Sequence, residues 1–448
     1  MSARRRLYAL LAVLAASVAA APAHASERAA DYVAGELVVR VRDADTGAVQ
    51  TRRHVIRDGD SVRAEARELE RRANVVSATP NYIARAAGYI PNDPGRARMA
   101  GGWQRLQWNL LGIHVPDAWD TLIRAGRPGG RGVTVAVLDT GVAYRDRGRF
   151  RRSPDLARSQ FAQGYDFVGD DRYPLDENGH GTHVASTIAQ RAGNGIDLAG
   201  IAYGAKIMPV RVLDRHGEGD SIGISAGIRY AARRGADVIN LSFEFDGDLT
   251  AARIPDILAA LRYARRRGAL IVGAAGNKSD DRVALPARAQ QVFSVGATTE
   301  HVCRAVYSNT GHGLDIVAPG GGEDAFLPDE ADRCRPDDPP GRDIYQTTFR
   351  GNSVRRFGIP SGYVGTSMAA PHVSAVAALV IASGVLGDGP SVAAVERRLA
   401  ATATDLGPVG YDRGYGAGLV DAAAATGSIV TTPDPTATPV PGTPAPPG

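Results

Sequence analysis

The sequence predicts an α/β fold of three layers with a mostly parallel central sheet, preceded by a small α+β unit. Two observations carry this. Buried-strand patterns at residues 133–138, 207–212, 238–241, 270–272 and 292–295 alternate with helical patterns at 183–191, 222–234, 254–267, 366–383 and 392–401. Alternation of this kind builds a parallel sheet with helices on both faces. The second observation is the small-apolar run Val373-Ser374-Ala375-Val376-Ala377-Ala378-Leu379-Val380. A helix that is apolar all round has to lie inside a large domain.

Taken in order, the chain opens with Arg4-Arg5-Arg6, an apolar stretch from Leu7 to Ala21, and Ala23-His24-Ala25 before Ser26. These are the charged, hydrophobic and small-residue parts of a secretory signal peptide, so residues 1–25 are read as one. The apolar part is too short to span a membrane, and no stable membrane insertion is expected. The protein is therefore expected to be secreted, to the extracellular or periplasmic space. Residues 26–88 read as a separate unit. It holds a strand at 37–41, a helix with Val62, Ala66, Leu69 and Ala73 on one face, and a strand at 75–78. Such a unit is too small to be very stable alone. Residues 89–425 are long enough for one large core, and residues 426–448 shift to Thr, Pro and Gly, the composition of a disordered tail.

Charge removes some classes of partner. The chain has 52 Lys+Arg against 48 Asp+Glu, a net +4. Residues 1–88 hold 14 of the basic and 10 of the acidic residues, so the remainder is formally neutral. Bulk charge gives no reason to expect nucleic acid or acidic membranes as partners.

The chemistry centres on Gly365-Thr366-Ser367-Met368-Ala369-Ala370-Pro371-His372, read as a turn feeding the apolar helix. Pro371 is placed in the first turn, where no helical N–H is lost. Ser367 then stands at a helix N-terminus, where free N–H groups and the positive dipole end suit a developing negative charge. Among only 9 His, His180 lies in Asn178-Gly179-His180-Gly181-Thr182-His183 ahead of another helical pattern. Asp139 ends the strand at 133–138 and precedes Thr140-Gly141. Strand tips and helix starts meet at one edge of an α/β sheet. Each residue alone is more often a cap, a core histidine or a helix start. Together they have the types needed for a nucleophile, its base and the base's orienter.

Asp139-Thr140-Gly141, His180-Gly181-Thr182-His183 and Gly365-Thr366-Ser367-Met368-Ala369 resemble the three signatures of subtilisin-like serine proteases, the subtilase family, in its thermitase-like branch. The order Asp, His, Ser matches as well. The resemblance implies the three-layer subtilisin-like fold and a serine endopeptidase that hydrolyses proteins and peptides through an acyl-enzyme. Asn277, in Gly273-Ala274-Ala275-Gly276-Asn277, would donate to the oxyanion. Segments Tyr307-Ser308-Asn309 and 315–320 would lead towards the nucleophile. Gly217-Glu218-Gly219 and Ser242-Phe243-Glu244 would pair with an extended peptide. Ser242, Phe243, Ala274, Ala275 and Gly276 would line the slot for the residue before the scissile bond, with Glu244 and Lys278 near its mouth. Glu218 and Asp220 would favour basic side chains farther upstream. Residues 26–88, with Asn81-Tyr82-Ile83-Ala84, resemble the family's pro-segment, an intramolecular inhibitor that the enzyme removes from its own precursor. A monomer is expected.

Thermitase-like relatives also imply structural calcium. Asp93, Asp155 and Asn194 would bring side-chain oxygens, with carbonyls of Ala192, Ile196 and Leu198 completing a hard-cation shell. A weaker second set is Asp166, Asp170 and Asp171. His183 is expected to pack rather than react. The only two cysteines, Cys303 and Cys334, precede the nucleophile in a chain read as exported, so a disulfide is expected.

Three departures from the family stand out. Glu244 replaces a usual Gly, Tyr203 replaces a common Pro, and residues 321–362 are longer than in compact members. Two rivals are weaker. Gly219-Asp220-Ser221-Ile222-Gly223 matches a lipase-type elbow, but the strand before it ends near Val212 and no HGGG-type segment precedes it. A binding protein on a dead protease scaffold would be expected to lack a triad residue, and none is missing.

Overall fold

The computed structural model describes residues 32–427 apart from 44–45, 57–61, 83–88, 246–248, 331–332, 335, 337–338 and 352. The signal-like residues 1–25 and the tail beyond residue 427 lie outside the described residues. The chain divides into two compact units, Met1–Ala87 and Gly88–Gly448.

In the first unit, β1 (Tyr32–Arg42), β2 (Val49–Val55), α1 (Val62–Glu70) and β3 (Val75–Tyr82) form an antiparallel sheet of order β2-β1-β3 with one helix. Leu37, Val39, Val62, Ala66, Leu69 and Ala78 make its core. Helix α1 stops at Glu70, so Ala73 falls in the following turn rather than on the helical face. Strand β2 has no buried residue along its length. It therefore lacks the alternation by which sequence reveals a half-buried strand.

The second unit begins with α2 (Trp108–Gly112) and α3 (Val115–Arg124). It continues through β4 (Thr134–Asp139), β5 (Tyr165–Asp166), α4 (His180–Ala189), β6 (Lys206–Arg211), α5 (Ser221–Arg233), β7 (Val238–Leu241), α6 (Pro255–Arg266), β8 (Leu270–Ala274), β9 (Phe293–Thr298) and β10 (Ile316–Pro319). A hairpin, β11 (Thr348–Phe349) with β12 (Phe357–Gly358), precedes α7 (Thr366–Ser383), α8 (Val392–Ala401) and α9 (Ala422–Thr426). The seven-stranded sheet runs β10-β9-β8-β7-β4-β6-β5, parallel throughout. Helices α4 and α7 cover one face, and α5 and α6 pack together against the other. Strand β4 lies between β6 and β7, so successive strands leave it in opposite directions. That switch point opens a crevice at the carboxyl end of β4, where Asp139 stands.

Helix α7 runs over the predicted span, and 15 of its residues are buried. Pro371, however, is its sixth residue, in the second turn. Its missing N–H leaves the Ser367 carbonyl without its i+4 donor, and the Ser242 hydroxyl donates to that carbonyl instead, at 2.9 Å. Asn240 on β7 steadies this contact: its amide donates to Ser242 Oγ at 2.8 Å and accepts from Ser374 Oγ on α7 at 2.8 Å. A buried polar chain thus pins the start of α7 to the sheet. Tyr203, the replacement for Pro, packs its ring 5.7 Å from Trp119 and 6.0 Å from Tyr89, filling space with aromatic area.

Candidate active site

Asp139 is fully buried, and its Oδ1 accepts from His180 Nδ1 at 2.8 Å and from the Thr140 N–H at 2.7 Å. Its Oδ2 has no hydrogen-bond partner. The negative charge is therefore balanced chiefly through the imidazole, which stabilises the protonated ring. Burial works against protonation of His180, but the Asp139 charge and hydrogen bond, aided by Asp176, outweigh it and raise the pKa above 6.5.

The loop ahead of His180 is held by a residue that sequence reading passed over. Asp176, fully buried, accepts from Thr182 Oγ1 at 2.6 Å and from Thr140 Oγ1 at 2.9 Å. The N–H groups of Asn178, Gly179 and Thr182 also donate to it. Burial raises its pKa, and these donors oppose the rise. Its one sequence signal was the Asp-x-Asn-Gly order of a turn whose side chain caps its own backbone. Close approach also requires Gly181, where an added Cβ would meet Gly141 O at 2.2 Å and Asp139 Oδ1 at 3.0 Å.

Ser367 is the second residue of α7, and its hydroxyl donates to the Ser242 carbonyl at 3.1 Å. Asn277 follows β8. Its Oδ1 accepts from the Thr366 N–H at 2.8 Å and hydroxyl at 3.0 Å, which turns the amide N–H groups away from Thr366. Tyr307 braces the same turn: its hydroxyl accepts from the Gly365 N–H at 3.0 Å and donates to the Gly321 carbonyl at 2.8 Å. Asn309 accepts from the N–H groups of Lys278 and Asp280, fixing the chain after Asn277.

The residues expected to form the substrate walls lie on two segments. Gly217, Glu218 and Gly219 are exposed in a loop closed by the Asp214 carboxylate on the N–H groups of His216 and Glu218. Ser242, Ala274, Ala275 and Gly276 are buried, while Phe243 and Glu244 are half-buried. The Asn277 backbone N–H donates to both Glu244 carboxylate oxygens at 3.3 Å, so this side chain reaches from one wall to the other. His183 packs as expected. Its Nε2–H donates to the Ile344 carbonyl at 2.9 Å, its ring stacks on Tyr363 at 4.0 Å, and burial pulls its pKa down to about 3. Ser221 of the elbow-like motif instead opens α5 on an exposed Asp220 cap.

Of the expected calcium donors, Asp93 is buried and accepts from the N–H groups of Gly193, Asn194 and Gly195. Asp155, also buried, accepts 2.6 Å bonds from Gln190 Nε2 and Asn194 Nδ2. Asn194 Oδ1 accepts from the Ile196 N–H, and the Leu198 carbonyl from Gln190 Nε2. Burial first, then Asp93 and Asp197 nearby, push Asp155 up to about 7. The Asp93 and Asp155 carboxylates bring the oxygens and negative charge a hard cation takes, but N–H groups of Gln190 and residues 193–195 occupy them here, and among the described residues no group of three His, Cys, Asp or Glu side chains converges on one point. The second set is committed elsewhere. Asp166 pairs with Arg211 at 3.0 Å, Asp170 accepts from the Tyr165 hydroxyl, and Asp171 accepts from the Tyr173 N–H. Cys303 and Cys334 are joined in a disulfide, with Cα atoms 5.6 Å apart.

The profile of the subtilase family matches residues 130–418. The chain is similar to a thermophilic serine proteinase of Bacillus sp. (strain AK1), 33% identical over 372 residues, 79% of each chain. It is also similar to subtilisin Savinase of Lederbergia lenta, 34% identical over 325 residues, 72% of this chain and 99% of the relative. Among solved structures, a protease of Pseudoalteromonas arctica PAMC 21717 superposes with a TM-score of 0.59 at 30% identity, covering 75% of this chain and 99% of the other. The chain belongs to the subtilase family and is a serine endopeptidase.

Proposed function

We propose a secreted endopeptidase, made as a self-processing precursor, that works through an acyl-enzyme on Ser367. Ser367 Oγ attacks the scissile carbonyl carbon while His180 Nε2 takes its proton, and the oxyanion is held by Asn277 Nδ2 and the Ser367 N–H. Collapse of this intermediate breaks the C–N bond, and His180 returns the proton to the leaving amine. Water then repeats the sequence on the acyl group, releasing the acid and free Ser367. Asp139 keeps the proton on Nδ1 and balances the imidazolium. The observation that carries the reading is the 2.8 Å Asp139–His180 bond at the sheet's switch point, with Asn277 fixed by Thr366 beside Ser367.

Residues 26–88 act as the intramolecular inhibitor, and cleavage near residue 88 releases the enzyme. Calcium, held by Asp155 and Asn194 with Asp93 and the carbonyls of Ala192, Ile196 and Leu198, supplies stability and no chemical step. The slot lined by Ser242, Phe243, Ala274, Ala275 and Gly276, with Glu244 near its mouth, takes the side chain before the cut. Casein hydrolysis by purified protein, beside Ser367→Ala, tests the reading. The variant loses hydrolysis and retains its N-terminal unit, whereas maturation of that variant without any other protease would overturn self-processing.

A further inference from the structure

Two segments beside the catalytic loop carry a concentration of charge that the reaction does not use. Residues 147–151 contain Arg147, Arg149 and Arg151, and residues 350–356, between β11 and β12, contain Arg350, Arg355 and Arg356. Neither segment holds an acidic residue, and all six arginines are exposed. The segments are tied together: the Arg151 N–H donates to the Val354 carbonyl at 3.1 Å, and Arg355 Nε donates to the Arg149 carbonyl at 3.1 Å. Of the six, Arg149 pairs with Glu177, and Asp146, just ahead of the first segment, is drawn electrostatically to Arg151. Arg147 instead lies over the Tyr173 ring, 3.6 Å from its centre. In a unit whose bulk charge is balanced, six neighbouring cations with two acidic neighbours, Glu177 and Asp146, form a local positive field.

Its place relative to the chemistry gives it a use. Glu177 is three residues ahead of His180, and the base of the hairpin adjoins the same loop through a 2.6 Å bond from Thr348 Oγ1 to the Gly179 carbonyl. On another side of that loop, the Asn178 amide donates to the Arg215 carbonyl, next to Gly217–Gly219 with its acidic Glu218 and Asp220. The acyl half of a substrate lies along Gly217–Gly219 and Ser242–Glu244. In the endopeptidase reading the other half begins at the amine that His180 protonates, on the side where the Thr348 bond sets the base of the hairpin beside the His180 loop.

We infer that Arg350, Arg355 and Arg356, backed by Arg147, Arg149 and Arg151, form a recognition surface for Asp and Glu side chains a few residues downstream of the scissile bond. This rests on the endopeptidase reading of the site. Guanidinium forks match carboxylates, and exposed pairs of this kind select among substrates more than they hold the fold together.

The test is a set of quenched peptides with one fixed upstream sequence and cut, carrying two Asp, two Gln or two Arg at the second to fourth positions after it. For the wild type at low salt, kcat/KM for the Asp peptide exceeds that for the Arg peptide by about tenfold, the sum of a few exposed ion pairs, and the ratio shrinks at high salt. R355Q/R356Q brings the ratio close to one with the Gln peptide unchanged, R355E/R356E inverts it, and melting temperatures confirm that the variants fold. Equal use of Asp and Arg peptides by the wild type, or a ratio that survives R355Q/R356Q, overturns the inference. So does a wild type that shows no peptide preference but loses retention on a sulfated polyanion column when R355Q/R356Q is introduced, which would assign the surface to polyanions. Failure to cut even the Gln peptide, with casein also intact, would instead count against the endopeptidase reading.

Discussion

Removing the disulfide by C303S/C334S, in an Ser367→Ala background that prevents self-digestion, has a cost that can be worked out from the chain. The cross-link spans a sequence separation of 31 residues. Closing a loop of that length in the unfolded chain costs roughly 12 cal/mol/K, or about 4 kcal/mol at 25 °C. Unfolding entropy scales at about 2.1 cal/mol/K per residue, so about 340 ordered residues give roughly 0.7 kcal/mol/K, and the melting temperature should fall by about 5 °C. The bonds beside the cross-link, Thr299 Oγ1 and His301 Nδ1 to Asp324 and the Tyr415 hydroxyl to Glu330, stay in the native state. They do not restrain the unfolded chain, so they do not offset the loss. Calorimetry at one fixed scan rate measures the shift, since proteases of this size commonly unfold irreversibly. A change under 1 °C would refute the chain-entropy reasoning, and two reactive thiols in the denatured, unreduced protein would refute the cross-link itself.

Asn277→Ala should lower kcat by about 10²–10³ with little change in KM, a magnitude carried over from subtilisin rather than from this chain; single-turnover acylation measures it. Because only neutral His180 can accept the Ser367 proton, activity is lost as pH falls through its raised pKa. The acid limb of kcat/KM should therefore lie above 6.5, and Asp139→Asn should move it down while lowering the plateau by about 10⁴. Asp155 has a folded pKa of about 7, above its unfolded value near 3.8. The native state therefore holds that proton more tightly, and stability falls as pH rises between those values. A chelator should lower the melting temperature of Ser367→Ala more at pH 8 than at pH 5, and equal shifts would count against calcium at Asp155. Glu244→Gly should raise kcat/KM for a large apolar residue before the cut by about tenfold, since it clears the reach from one wall to Asn277 and removes a charge from an apolar slot. Peptides differing only there measure it.

Sequence made some parts of this protein plain and hid others for identifiable reasons. The strands β4, β6, β7, β8 and β9 are nearly all buried, so each shows as an apolar run, and α7 shows for the same reason. The candidates Asp139, His180 and Ser367 stand out in the sequence because glycines and small residues crowd around them in fixed spacing. Strands β5, β11 and β12 have two residues each, too few for any periodicity. Helix α3 starts after His114 in a left-handed conformation with no capping side-chain bond, so the usual start signal is missing. Asn240 and Tyr307 act through Ser374 and Gly365, far away in sequence, information a local pattern does not hold. The position of Pro371 shows the limit most clearly: its tolerance depends on Ser242, 125 residues away from the carbonyl it frees.

The make-up of α7 bears on how the protein is made. By length and composition this helix would pass for a membrane span, and only burial in the fold distinguishes it. A chain that crosses a membrane unfolded shows that segment to the lipid before any sheet exists to cover it. Its Ala, Ser and Val residues in place of a run of Leu keep the lateral pull of the bilayer weak. Leucine at Ala375 or Ala378 would therefore act twice: it would crowd the core and, in the exported precursor proposed above, it would favour arrest in the membrane with the nucleophile stranded beside it.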